Sequence, residues 1–189
     1  MRRLTVFNHV SLDGYFVDAN NSMAWAHAGW QDAEWNAFVE GNAGSGGTLV
    51  FGRATYDLMT SYWPTPMAME QMPVIAERMN NLPKIVFSKT MDTASWNNTR
   101  LVKGDLAESV KKLKNESGTD MVLMGSGSIV SQLTQTGSGL IDEYQIVVNS
   151  IVLGRGRTMF DGTKQLGLKL TKSRTFNNGN VFLCYVPAA

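Results

Sequence analysis

Short runs of apolar residues, separated by polar and glycine-rich stretches, divide the chain into alternating strand and helix segments. β-Branched and aromatic residues dominate the runs and predict strands at residues 4–10, 48–51, 84–87, 121–124, 144–148, 166–176 and 180–186. Apolar periodicity predicts helices between them at residues 32–41, 54–62, 67–79, 106–115 and 128–135. Several of the strand segments are continuously apolar, which is typical of parallel strands covered by helices on both faces.

Local signals mark several turns and helix ends. Pro73 interrupts the segment 67–79, so we expect two short helices or a kink there. Asp105 precedes the segment 106–115 as a plausible N-cap, and the glycine-rich stretch 41–47 predicts a loop. Asn177-Asn178-Gly179 separates the last two strands and predicts a β-hairpin. The pattern predicts an α/β fold with a largely parallel sheet and an antiparallel hairpin at its C-terminal edge.

Length and charge narrow the functional classes. A chain of 189 residues is expected to form a single domain, residues 1–189. A net charge of +1 without a basic cluster argues against a nucleic-acid partner. No apolar run is long enough for a membrane span and no signal-peptide pattern is present, so we expect a cytoplasmic protein with no membrane partner. With one cysteine and two histidines, we expect neither an internal disulfide nor a metal site.

Two strand-to-helix junctions carry residues suited to phosphate binding. The first is Gly52-Arg53-Ala54-Thr55, where glycine permits close approach to the backbone, Arg53 offers a fork of donors and Thr55 a hydroxyl. The second is Ser88-Lys89-Thr90, where a hydroxyl and an ammonium at a strand end suit a terminal phosphate. For the first junction, the alternative is a glycine turn with a solvated arginine and a threonine cap. For the second junction, the alternative is an ordinary polar turn.

A third junction, Gly125-Ser126-Gly127-Ser128, follows the strand 121–124. It departs from the dinucleotide fingerprint G-x-G-x-x-G because Val130 occupies the place of the third glycine. It remains a candidate anion-binding turn, or simply a tight strand-to-helix turn. The nucleophile elbow G-x-S-x-G and the Walker A pattern are both absent, which argues against a serine hydrolase and a P-loop nucleotidase.

The loop after the first strand is a candidate substrate site. A flat ring could stack among Phe16, Trp25 and Trp63, while Asp13 could hold or protonate a polar heterocycle. The alternative is that these aromatic residues belong to the core and that Asp13 caps a turn.

Taken in order along the chain, these motifs resemble the dihydrofolate-reductase-like superfamily. The resemblance is to the branch formed by the riboflavin-biosynthesis reductase domain and its stand-alone relatives. The matching segments are SLDG at 11–14, LVFGRATYDLM at 49–59 followed by Trp63-Pro64, VFSKT at 86–90, MGSGSIVSQL at 124–133 and LIDEYQIVVNSIVLGRGRTMF at 140–160.

The resemblance implies a three-layer fold, with a mixed, mostly parallel central sheet flanked by helices, and NADPH lying across the strand ends. It implies that Gly52, Arg53 and Thr55 contact the cofactor phosphates. Ser88 and Lys89 would lie near the adenosine 2′-phosphate, which favours NADPH over NADH. Residues 125–128 would wrap the pyrophosphate or the nicotinamide side. The resemblance also implies a homodimer formed through the C-terminal strands.

The chain departs from the family pattern at three places. Ser126 follows Gly125 where adjacent glycines are common, and Ser150 stands where a proline is expected. The acid that assists protonation has three candidates: Asp13, Asp32 and Glu34.

Two functions follow from these observations. The first is an NADPH-dependent reductase that acts on a small flat heterocycle, such as a pterin, a flavin precursor or a pyrimidine, or on a carbonyl compound. The second is a non-catalytic, nucleotide-binding homodimer that kept the fold.

Overall fold

One large β-sheet runs through the protein. The structure is a computed structural model that describes residues 1–27, 32–44, 46–135 and 139–188, with only the backbone at 27, 43 and 44. The eight strands of the sheet are ordered β5-β4-β3-β6-β1-β7-β10-β9, and β2 and β8 form a separate ribbon. The strands are β1 (Leu4–Ser11), β2 (Tyr15–Asp18), β3 (Thr48–Gly52), β4 (Lys84–Phe87), β5 (Thr99–Val102), β6 (Met121–Met124), β7 (Glu143–Asn149), β8 (Gly156–Thr158), β9 (Leu168–Thr175) and β10 (Val181–Pro187).

Helices cover both faces of the sheet. They are α1 (Ala33–Gly44), α2 (Arg53–Tyr62), α3 (Pro66–Gln71), α4 (Pro73–Asn81), α5 (Leu106–Asn115) and α6 (Gly127–Gln135), with a 3₁₀ turn at Ala24–His27. Side chains of α5 and α6 share one apolar cluster with Val50, whereas α2 and α4 pack with Leu49 and Phe51. Successive residues of a strand point to opposite faces, so the two helix groups lie on opposite sides of the sheet. The predicted three-layer arrangement is confirmed.

Most predicted elements are present within one or two residues of their expected ends. Pro73 separates two short helices, and the side chain of Asp105 caps α5 by accepting a hydrogen bond from the amide of Glu108 at 2.9 Å. The prediction of a loop at 41–47 was wrong at its start, because α1 continues to Gly44. The guanidinium of Arg78 in α4 donates to the Glu40 carbonyl at 2.7 Å and holds this part of α1 in place.

Three short strands were not predicted, namely β2, β5 and β8. All residues of β8 are exposed, so it has no apolar pattern to reveal it, and β2 pairs only with β8. β5 lies at the sheet edge and has no buried residue. Among the residues described, none of the helices is long and apolar enough to cross a membrane.

β1 extends further than its neighbour β6. The pairing of β1 with β6 ends at Phe7 opposite Met124, whereas the pairing of β1 with β7 continues to Ser11 opposite Asn149. The last four residues of β1 therefore project beyond the carboxyl end of β6, and this projecting end of β1 borders the strand ends where ligands bind in α/β sheets.

The C-terminal hairpin is confirmed, with β9 and β10 antiparallel around a turn in which Gly179 has a φ of +85°. Arg174 of β9 ties this hairpin to α1. Its guanidinium lies 4.6 Å from the centroid of the Phe176 ring and 2.9 Å from a carboxylate oxygen of Glu34.

A buried lysine joins α4 to the loop before β5. Lys84 is 1 % exposed, and its ammonium donates to the carbonyls of Asn80, Leu82 and Asn97 at 2.9, 2.7 and 3.0 Å. It also lies 4.6 Å from the centroid of the Trp96 ring. Burial lowers the pKa of Lys84 to about 8.

We expect Lys84→Met to lower the free energy of unfolding by about 3 kcal/mol, because three buried carbonyls lose their donor. The difference in the free energy of unfolding between wild type and variant should grow as the pH rises from 8 towards 10.5. Over this range the folded wild type has released the Lys84 proton, whereas the unfolded chain still binds it. Urea unfolding at pH 7 and pH 9.5 measures both effects. Exposed Lys164→Met is the control, and an equal loss in both variants would contradict this role for Lys84.

Candidate active site

A hydrogen-bond network joins the first and third predicted junctions. The amide of Gly52, at the end of β3, donates to the Ser126 hydroxyl at 2.6 Å. That hydroxyl donates to the hydroxyl of Thr55 at 3.0 Å, and the Ser126 amide donates to the same Thr55 oxygen at 3.0 Å. The first turns of α2 and α6 are thereby held side by side at the carboxyl edge of the sheet.

The turn after β6 is also fixed to β1. The amide of Gly125 donates to the side-chain oxygen of Asn8 at 2.7 Å, and the Asn8 amide nitrogen lies 2.8 Å from the sulfur of Met159. Gly125 and Ser126 both adopt left-handed backbone conformations, with φ of +64° and +58°. The turn is therefore locked from two directions, by β1 and by α2.

The glycines at these junctions leave room for this network. A Cβ atom on Gly125 would lie 2.7 Å from the Thr55 hydroxyl, and one on Gly52 would lie 2.7 Å from the Ser126 hydroxyl. From the sequence, the glycine at 52 is expected to permit the approach of a phosphate. The structure gives a further reason, which is that a serine side chain packs directly on it.

The two helix starts offer donors for an anion. Gly52 caps α2 without a side-chain hydrogen bond, so no capping side chain takes the amides of its first turn. α6 begins one strand away at Gly127, next to the exposed Ser128. Adjacent helix N-termini combine unpaired amides with the positive ends of two helix dipoles. This donor set fits the diphosphate of a dinucleotide.

The first and second junctions meet at a polar groove. The guanidinium of Arg53 donates to the Thr90 hydroxyl at 2.7 Å and lies 3.4 Å from a carboxylate oxygen of Asp57. The Ser88 hydroxyl accepts from the Thr90 amide at 3.3 Å and so shapes the turn, while Lys89 is exposed on it. The groove has a volume of about 420 Å³ and is lined by Arg53, Tyr56, Asp57, Thr60, Thr90, Met91, Asp92, Thr93 and Ser95.

Asp13 links two loops above the sheet. Its carboxylate accepts from the Ser11 hydroxyl at 2.6 Å and from the backbone amides of Leu153 and Gly154 at 3.1 and 2.7 Å. The Ser11 hydroxyl, followed by these two amides, lowers the pKa of Asp13. A proton donor at neutral pH needs a raised pKa. The structure thus gives Asp13 a structural role, and its action on a substrate stays a prediction.

The three aromatic side chains proposed to stack a substrate do not form one surface. The buried Phe16 lies against Gly127 and belongs to the cluster beneath α6. Trp63 packs on the cluster of the opposite face, where its indole nitrogen donates to the Met59 sulfur at 3.1 Å. Trp25 is half-buried and lies within the 3₁₀ turn. The structure separates Phe16 from Trp63, and their roles as substrate contacts remain predictions.

Three polar residues at these strand ends, Asn8, His9 and Asn149, were not predicted as site residues, whereas Thr90 belongs to the predicted second junction. A signal for the first two exists, because Asn8 and His9 are adjacent polar residues between the apolar Phe7 and Val10. Among the described residues, no group of three or more histidine, cysteine, aspartate or glutamate side chains could hold a metal ion.

Comparison with known families identifies the fold. A profile of the RibD C-terminal domain family matches residues 2–182 of the 189. The chain belongs to the RibD C-terminal domain family. The chain is also similar to the uncharacterized protein YyaP of Bacillus subtilis (strain 168). The two are 29 % identical over 185 residues, which cover 97 % of this chain and 94 % of YyaP.

Solved structures show the same architecture as this family member. A protein of Shewanella sp. PV-4 assigned to riboflavin biosynthesis is 25 % identical, with a TM-score of 0.74 and 99 % coverage of both chains. A deaminase/reductase of Thermotoga maritima shares 13 % identity and a TM-score of 0.68, covering 99 % of this chain and 57 % of the other. Dihydrofolate reductase of Enterococcus faecalis, solved with NADP(H), has a TM-score of 0.63 at 14 % identity, covering 99 % and 97 %. The last two likenesses show the dihydrofolate-reductase-like fold.

Gly125→Ala tests the strand-end network in this family member. We expect it to cost about 2 kcal/mol more than Gly139→Ala, because the new methyl group collides with the Thr55 side chain. Gly139 has a similar φ of +61°, and no atom of the described residues lies within 4 Å of its Cβ position, so its variant carries the backbone strain of about 1–2 kcal/mol without such a collision. Urea unfolding compares them, and equal losses would contradict the predicted collision.

Proposed function

We propose that the protein is an NADPH-dependent reductase. The observation that carries the proposal is the hydrogen-bond network from Gly52 through Ser126 to Thr55, together with the contact of Arg53 with Thr90. These bonds bring the three phosphate-binding candidates to one edge of the sheet, in a family whose structural relatives include a reductase solved with NADP(H).

NADPH, when bound, supplies a hydride, and the protein supplies binding and orientation. The first turns of α2 and α6 bind the diphosphate. Arg53 lines the polar groove and Lys89 is exposed next to its lining residue Thr90. Both bind the 2′-phosphate, for which the guanidinium fork and the ammonium are suited. The projecting end of β1 borders the place where the substrate binds.

The substrate class is a small flat heterocycle or a carbonyl compound. The Thermotoga maritima relative is named as a 5-amino-6-(5-phosphoribosylamino)uracil reductase, and the Enterococcus faecalis relative is a dihydrofolate reductase. Both names point to a pyrimidine or a pterin ring. We therefore propose a pterin, a flavin precursor or a pyrimidine-like compound as the acceptor of the hydride.

Removal of the Arg53 side chain separates phosphate recognition from general binding. We expect Arg53→Ala to weaken NADPH binding by about tenfold, equivalent to 1.4 kcal/mol, and to leave NADH binding unchanged, because NADH lacks the 2′-phosphate. Isothermal titration calorimetry measures both. Arg3→Ala is the matched control, since exposed Arg3 lies at the other end of β1 and should change neither affinity.

Each outcome of this titration has a defined meaning. Equal weakening of NADPH and NADH by Arg53→Ala would place the residue outside a 2′-phosphate site. Failure of the wild type to bind either cofactor would overturn the proposed function. Tight NADPH binding without turnover of pterin, flavin-precursor and pyrimidine acceptors would favour the alternative, a non-catalytic nucleotide-binding homodimer.

We also propose that the protein forms a homodimer through its C-terminal strands. Leucines on and beside the hairpin support this proposal, since Leu166, Leu168 and Leu170 are 41, 37 and 48 % exposed. A stable dimer buries about 800 Å² on each partner, and clustered apolar side chains are the usual centre of such an interface.

The Leu170→Lys variant tests the dimer. We expect wild-type protein to sediment as a dimer and Leu170→Lys to shift it towards monomer at micromolar concentration, because the charge would be buried. Val74→Lys is the control, since Val74 on α4 is similarly exposed at 43 % but lies away from the hairpin. Analytical ultracentrifugation decides, and a monomeric wild type would overturn the dimer.

A further inference from the structure

The polar groove carries more negative than positive charge. Of the described residues that line it, Arg53 is the one cation, whereas Asp57 and Asp92 are both carboxylates. The ammonium of Lys103 lies 3.8 Å from Asp92 and offsets its charge, while the ion-pair partner of Asp57 is Arg53 itself. A phosphate monoester carries close to two negative charges at neutral pH. A 2′-phosphate that binds Arg53 therefore meets the carboxylate of Asp57 at the same place.

The guanidinium of Arg53 already has two partners. Its Nε lies 3.4 Å from Oδ2 of Asp57, and its Nη1 donates to the Thr90 hydroxyl at 2.7 Å. A phosphate that takes hydrogen bonds from two of the three guanidinium nitrogens must therefore share a nitrogen with Asp57 or Thr90, or displace one of them. Recognition of the 2′-phosphate is consequently weaker than the fork of donors alone would allow.

The helix α2 places Asp57 where a ligand can reach it. Asp57 lies four residues after Arg53, so the two side chains share one face of the helix. The Asp57 side chain is 56 % exposed, and within the described part of the chain its Oδ1 accepts no hydrogen bond. A carboxylate has about four acceptor positions, so a hydroxyl in the groove can donate to Asp57 while Arg53 stays in place.

The two nicotinamide cofactors differ only at the group proposed to reach this groove. NADPH carries the 2′-phosphate, whereas NADH carries a hydroxyl at the same position of the adenosine ribose. A carboxylate accepts a hydrogen bond from such a hydroxyl, as acidic residues do in other dinucleotide-binding folds, and it repels a phosphate. Arg53 and Asp57 therefore favour different cofactors from neighbouring positions on one helix.

We propose that the protein also binds NADH as a second cofactor, and that Asp57 accepts a hydrogen bond from the 2′-hydroxyl of its adenosine ribose. This inference rests on the proposed function, in which Arg53 binds the 2′-phosphate of NADPH. Asp57 stabilises bound NADH and weakens the binding of NADPH, so the two affinities lie within about tenfold of each other. Both cofactors carry the same dihydronicotinamide, so the hydride donor is unchanged.

The first test removes the carboxylate. We expect Asp57→Ala to strengthen NADPH binding about threefold, the usual size of an exposed charge interaction, and to weaken NADH binding about fivefold through loss of one acceptor. Isothermal titration calorimetry measures both affinities. Glu108→Ala on α5 is the matched control, because it also removes a carboxylate paired within its helix, to Lys111 at 2.7 Å, on the opposite side of the sheet. This control should change neither affinity.

The second test separates the hydrogen bond from the charge. The NADH analogue that lacks the adenosine 2′-hydroxyl should bind the wild type more weakly than NADH, and this difference should vanish in Asp57→Ala. Asp57→Asn keeps an acceptor without the charge, so it should strengthen NADPH binding as Asp57→Ala does and retain most of the affinity for NADH. The gain for NADPH should shrink at high ionic strength, because salt screens exposed charges.

The outcomes distinguish this inference from the proposed function. A wild type that binds neither cofactor contradicts the reductase itself. A wild type that binds NADPH but not NADH contradicts only the second cofactor. If both bind, an unchanged ratio of the two affinities in Asp57→Ala overturns the role of Asp57, and so does equal wild-type affinity for NADH and its analogue without the 2′-hydroxyl. A ratio shifted towards NADPH, with loss of the 2′-hydroxyl effect, supports it.

Discussion

The Ser126 side chain is the contact on which the carboxyl edge of the sheet depends. Its hydroxyl accepts a hydrogen bond from the amide of Gly52, the last residue of β3, and donates one to the Thr55 hydroxyl in the first turn of α2. Ser126 also directly precedes Gly127, the first residue of α6. The contact is possible only because Gly52 and Gly125 leave no Cβ in the way. Both helix starts are consequently fixed to each other by side chain and backbone, independently of any ligand.

Two longer-range links complete the edge. The carboxylate of Asp13 holds the loop after β7, and the amide of Asn8 holds the turn after β6. The Asn8 link lies on one face of β1, whereas Asp13 is bound by Ser11, which lies on the opposite face of the strand. The fold thus combines a rigid set of anion donors at the ends of β3 and β6 with one polar patch at the end of β1.

Local chemistry made the three junctions predictable, because glycine and serine after an apolar run signal a turn whatever the rest of the chain does. The partners were not predictable in the same way. Ser126 meets Thr55 across 71 positions, and Asp13 meets Gly154 across 141. Nothing local distinguishes a carboxylate that caps a distant loop from one that serves catalysis. The short strand β8 was not predicted for a related reason. It is defined by its pairing with β2, and its residues are all exposed and form no apolar pattern.

The outer edge of β9 also limits how two molecules can meet. All eight residues of this strand are exposed, and Lys169, Lys172 and Arg174 place positive charge along it. Two such edges brought together would align like charges, which disfavours continuation of the sheet from one molecule into the next. The leucines of the hairpin are therefore available for face-to-face packing, while the strand edge itself protects the protein from open-ended assembly.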